Sequence, residues 1–196
     1  PNWTGRMPVI GAPLAGLAAI WLAGRLAMLC ASVLGPVAAV IDSAFLLVFA
    51  GVVWREVLTG RNWRNLPVCL LVSLLALANV AFHLDAQLWS SGLGERLALG
   101  AIGMLIALIG GRIVPSFTRN WMRVRRLAPE PAAFGRFDQA ALALAGAGLL
   151  SWALLPEAGV TGVLLALGGL ANLVRVARWR GWAAAREPLV WVLHLG

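Results

Sequence analysis

The chain has very little charge: only 12% of its residues are Asp, Glu, Lys or Arg. A soluble domain carries about 25%, so this sequence cannot clothe a water-facing surface. Lysine is absent altogether, and all sixteen basic residues are arginine, a compositional bias. Cysteine is scarce. Cys30 and Cys69 both lie inside apolar runs and no C-x-x-C occurs, which excludes a disulfide framework and a cysteine zinc site; they are expected to be small buried thiols between helices. There is no G-x-x-x-x-G-K-[ST], no H-E-x-x-H and no G-x-S-x-G, so the signatures of P-loop, zincin and α/β-hydrolase chemistry are missing. Asn2-Trp3-Thr4 fits N-x-[ST] but precedes the first span on the arginine-rich side, a chance match.

What is present is apolar sequence. Hydrophobic residues make up 61% of the 196 residues, and mean hydropathy is +0.85. A bilayer-spanning helix needs about 20 apolar residues. The expected fold is all-α, a polytopic transmembrane helix bundle with six complete spans and the start of a seventh. The first span runs about Pro13 to Leu34. The second follows Pro36, proline at the first helical position, and ends near Trp54. The third runs Leu66 to Leu88, and the fourth Leu97 to Val114, stopped by Pro115. The fifth runs Asp138 to Leu155, stopped by Pro156, and the sixth Gly159 to Val176. The seventh begins after Pro188. The chain starts without an initiator Met and ends just inside a new apolar run. It therefore reads as a single transmembrane domain over residues 1–196, an internal fragment of a longer membrane protein.

Arginine alternates by connection. Arg6, then Arg55, Arg61 and Arg64, then Arg112 to Arg136, then Arg175 to Arg186 all fall on one side, fourteen of the sixteen. The opposite side has Arg96 with Asp85, Glu95 and Glu157. This asymmetry places the arginine-rich side in the cytoplasm. The net charge of +8 follows from that rule. Arg119–Arg126 sits between two spans, so anionic lipid headgroups are the expected partner and nucleic acid is not. Trp54, Trp63, Trp89, Trp121, Trp179 and Trp182 fall near helix ends, as an interfacial belt does. Gly103, Ala107 and Gly111 form a four-residue stripe of small residues, a helix-packing feature, and Gly168 with Asn172 on the sixth span reads the same way.

Polar groups inside spans are costly and are the functional candidates. Arg25 lies ~18 Å into the first span and Asp42 ~9 Å into the second at 1.5 Å per residue. The two depths nearly coincide, so an Arg25–Asp42 pair is expected, either as a tie between helices or as part of an ion or cofactor site. Asn79 and His83 are four apart and share a helix face. His194 lies early in the seventh helix. Imidazole is a common membrane metal ligand, yet a lone His near a helix end is also an ordinary interfacial residue. The segment from Gly110 to Trp121 ends a helix at Pro115 and then presents donors, with Arg112, Thr118, Arg119 and Asn120 suited to an anion. Positive-inside arginines at a helix end would look the same.

Pro1-Asn2-Trp3-Thr4-Gly5-Arg6, Trp21-Leu22-Ala23-Gly24-Arg25, Gly110-Gly111-Arg112-Ile113-Val114-Pro115, Phe117-Thr118-Arg119-Asn120 and Leu193-His194-Leu195-Gly196 together resemble the NnrS family. The resemblance implies a multi-pass protein of the bacterial inner (cytoplasmic) membrane, associated with nitric-oxide and nitrosative stress and containing haem and copper. It implies His83 and His194 as metal ligands, and Arg25, Arg112, Arg119 and Asn79 as cofactor-binding residues, the arginines toward haem propionate or another anion. Family members carry a His-containing segment just before the Pro-Asn-Trp-Thr-Gly motif, and the missing spans of the same protein are an implied partner. Whether the chain catalyses a reaction is left open. The alternatives are a transporter or channel for a small solute or ion, with Arg25, Asp42 and Asn79 on its path, and a non-catalytic membrane assembly subunit.

Overall fold

The computed structural model describes residues 9–88 and 91–195. The N-terminal motif with Arg6 and the N-x-[ST] match, Trp89 and Gly196 lie outside them. Among the described residues the chain is helical with no strand, the expected all-α fold. Six helices are long and apolar enough to cross a membrane. Their outward faces are apolar: Val40 is 70% and Ile106 68% exposed. Such a surface suits lipid and not water.

Two compact units form, one up to Ile102 and one from Gly103. The first holds α1 (Ala12–Leu29), α2 (Ala31–Leu34), α3 (Pro36–Thr59), a 3-10 turn at Trp63–Asn65, and α4 (Leu66–Leu88). The first predicted span is thus two pieces. Cys30 leaves helical geometry at φ −98° and ψ 17°, and Gly35 takes φ +55° before Pro36 starts α3, a left-handed turn that glycine reaches without strain. Cys30 is exposed at this break, against the expectation of a buried thiol, because helix packing ends there; Cys69 is buried as expected. Gly24 brings α1 onto α3 so closely that a Cβ would stand 3.1 Å from the Asp42 Cα. Trp54 donates to Ser73 Oγ at 2.7 Å, fastening α3 to α4.

The long helix α5 (Leu93–Val124) begins in the first unit and continues into the second. It does not stop at Val114: Pro115 lies inside it. Proline removes one backbone donor, but in an apolar bundle unwinding would expose more unpaired groups, so the helix continues and neighbouring side chains bond its carbonyls. Its 32 residues extend ~48 Å, well beyond a ~30 Å hydrocarbon core. The second unit adds α6 (Arg136–Leu154), α7 (Gly159–Ala177), a 3-10 turn at Gly181–Ala184, and α8 (Pro188–Leu195). Glycine again sets the approach of helices. A Cβ on Gly168 would meet the Ala145 Cα at 3.0 Å, and one on Gly148 the Leu164–Leu165 backbone at 3.1 Å. Ser151 and Thr161 hydroxyls meet at 2.6 Å across the same pair, and Asn172 donates to the Ala141 carbonyl at 3.3 Å.

Candidate functional site

The first unit gathers three polar residues from two neighbouring helices around Asp42, which is 5% exposed. Arg25 on α1 pairs with Asp42 Oδ1, the tie expected from depth. Asn79 Nδ2 donates to Oδ2 at 3.1 Å, and His83 Nε2 lies 3.1 Å from the same oxygen. An ionised carboxylate only accepts, so His83 Nε2 carries the proton and donates. In the neutral ring Nδ1 is left bare. The helical spacing of Asn79 and His83 puts both on the face that meets α3, and Gly24 lets α1 bring Arg25 to the same carboxylate. His83 also borders a groove of 330 Å³ between α3 and α4, with Ser43, Val40, Leu47, Val80 and Leu84.

The second unit buries an arginine that the sequence reading counts with the cytoplasmic connections. Arg175 is 1% exposed, inside α7. Its Nε donates to Asp138 Oδ1 on α6 at 3.2 Å and its Nη1 to the Ala107 carbonyl on α5 at 2.9 Å. The guanidinium fills the space where a Gly111 side chain would be, and it lies over the rings of Phe134 and Trp179. The stripe at Ala107 and Gly111, expected to pack a helix, therefore receives a charged side chain. The clue in the sequence was an arginine flanked on both sides by Leu, Val and Ala. Arg178, the outer neighbour, reaches Asp138 at 3.9 Å.

His194 sits on α8 in this unit. Its Nε2 lies 2.8 Å from Thr118 Oγ1, whose hydroxyl donates to the Val114 carbonyl at 3.0 Å. Thr118 spends its only proton there, so His194 Nε2 donates to it. Nδ1 is buried and has no partner. Gly181 makes room for the ring: a Cβ there would stand 2.7 Å from Nδ1. The Thr118–His194 bond joins residues 76 apart, and no local pattern signals it.

The remaining donors of the α5 motif do not converge. Thr118 turns inward and is fully buried, whereas Asn120 is exposed. Arg119 donates to the Pro131 and Ala132 carbonyls at 3.3 and 3.5 Å and lies 3.7 Å from Glu130. Arg112 is half-buried on α5, before Pro115. Arg123 donates to Glu130 at 2.8 Å. That bond, with the nearby Arg119 charge, holds the Glu130 carboxyl below the usual carboxylate range. Trp121 and Arg125 both bond Glu187, at 3.2 and 3.0 Å, fixing the end of α5 to the entry of α8. His83 belongs to the first unit and His194 to the second. Among the described residues no three His, Cys, Asp or Glu side chains cluster as a metal site.

A chain that is helical throughout its described residues, with six membrane-capable helices, defines a multi-pass membrane protein. Residues 1–196 match the family described as NnrS protein, and the chain belongs to that family. No curated protein and no solved structure matches it.

Proposed function

We propose that this chain is part of a bacterial inner-membrane protein of the nitric-oxide response that binds haem and copper, with His194 as the ligand it contributes best. His194 carries the reading. An imidazole with one nitrogen held by a hydroxyl and the other buried, bare and unpartnered has the preparation metal-ligating histidines show. His83 is the second candidate, oriented by Asp42 as carboxylate-held ligands are. Each histidine supplies one ligand, so the rest of any coordination sphere comes from residues beyond the described ones. Bound haem or copper would supply a centre able to bind nitrogen oxides. The residues of this chain orient the imidazoles, through Thr118 and Asp42, and keep water from His194. Arg25 and Asn79 in the first unit, and separately Arg112 and Arg119 in the second, are proposed as candidates to face a propionate or other anion. Arg123, Arg125 and Arg126 face anionic headgroups at the cytoplasmic surface. The two units are proposed to be one membrane domain of a longer protein.

The test is the optical spectrum and copper content of the full-length protein purified from haem- and copper-replete cells. A Soret band and bound copper are expected, with His194→Ala shifting or abolishing one of them. Protein that folds but carries neither overturns the proposal.

A further inference from the structure

The α3–α4 groove in the first unit is apolar except for two groups. Ser43 is 7% exposed, and its hydroxyl lines the groove without a protein partner among the described residues. His83 is the other. Asp42 accepts a hydrogen bond from its Nε2–H, and among the described residues Nδ1 has no protein partner. Bare Nδ1 accepts hydrogen bonds and cannot donate them in the neutral ring. The remaining walls include Val40 and Leu47 of α3 and Leu84 of α4, which are 70%, 48% and 43% exposed. They leave the mouth of the groove on the apolar surface of the unit.

These features define a ligand. It must arrive through an apolar surface, fit within 330 Å³, and present a hydroxyl that donates to an imidazole while a second polar atom meets Ser43. A charged solute fails the first condition, an alkyl chain the third, and a ketone or ether offers His83 no proton. We propose that the groove binds the ring of a lipid-soluble hydroquinone, one hydroxyl donating to His83 Nδ1. Asp42 is then a positioning residue: by holding Nε2–H it keeps the acceptor nitrogen turned to the ligand. This assignment goes beyond the metal reading and leaves the metal to His194: with Nε2 held by Asp42, His83 Nδ1 cannot serve both a metal and this ligand.

The experiment uses the full-length protein in lipid nanodiscs, without oxygen. A short-chain alkyl benzohydroquinone is titrated against its dimethyl ether, which keeps the ring and loses both donors. The hydroquinone is expected to bind saturably and roughly tenfold more tightly than the ether, the scale of one or two net hydrogen bonds. Ser43→Ala should weaken it about threefold. Val40→Trp, which fills the mouth, should abolish saturable binding. An azido form of the hydroquinone needs no variant and should label residues 36–47 and 80–84 of the wild-type protein. Equal binding of hydroquinone and ether, or labelling confined to other helices, overturns the proposal. So does displacement of the probe by copper(I) at one-to-one stoichiometry, since Nδ1 would then belong to the metal. Metal-depleted protein should bind the hydroquinone unchanged, which separates failure here from failure of the haem and copper reading.

Discussion

Two oxygens of Asp42 hold three donors brought from two other helices. Asp42→Asn removes the charge that Arg25 needs and turns an acceptor toward two donors into a mixed amide. The cost expected is about 2 kcal/mol, below that of a fully buried pair because the Arg25 side chain is half-exposed. Detergent unfolding of the variant against wild type checks it, and an unchanged midpoint would show that the tie is not stabilising. Arg175 is the stronger case. Arg175→Ala leaves buried Asp138 with only the Gly135 amide and the distant Arg178 and should cost about 3 kcal/mol, whereas Arg178→Ala, at the exposed edge of the same carboxylate, should cost under about 1 kcal/mol. Equal losses would contradict the ranking. The Arg25–Asp42 pair was legible in sequence because both residues interrupt apolar runs at matching depth. Asn79 and His83 were legible as one helix face, but not as partners of Asp42, since the α3–α4 register is a tertiary fact. Arg175 was hidden by its place near a span end, where arginines usually reach water.

At the scale of helices, glycines decide who approaches whom. Gly168 faces the Ala145 backbone while Gly169, next in sequence, faces open space. Gly168→Leu should therefore destabilise the α6–α7 pair by about 2 kcal/mol or more, and Gly169→Leu should be tolerated. Thermal melting in one detergent compares them, and a reversed order would refute the packing. The spans themselves were readable, since their length and hydropathy follow from the bilayer. Pro115 was misread because the rule that proline ends a helix holds best where water can satisfy the freed carbonyl. The break at Cys30 left no mark in an apolar run, where neither period nor composition changes.

For the molecule as a whole, charge sits where the cytoplasmic surface is expected, and part of it is bonded internally. Glu130 is held ionised by Arg123 to lower pH than in the unfolded chain. Its tie is thus fully present above its ordinary value of 4.5 and is lost as pH falls through the lowered folded value. Protection of residues 119–132 against hydrogen exchange, corrected for the intrinsic pH dependence of exchange, should fall as pH drops below the ordinary carboxylate value of 4.5, and Glu130→Gln should be weakly protected throughout. If wild type and variant exchange alike at every pH, the Arg123–Glu130 tie does not order this loop. The family was legible from scattered motifs, but the bonds that organise each unit were not, because they join residues far apart in sequence. The membrane-spanning arrangement underlies every one of these statements, and labelling of single cysteines from each side of intact cells tests it most directly. Arg126→Cys should react only with reagent that reaches the cytoplasm, and Glu157→Cys only with reagent added outside. Labelling of both from the same side would contradict the account.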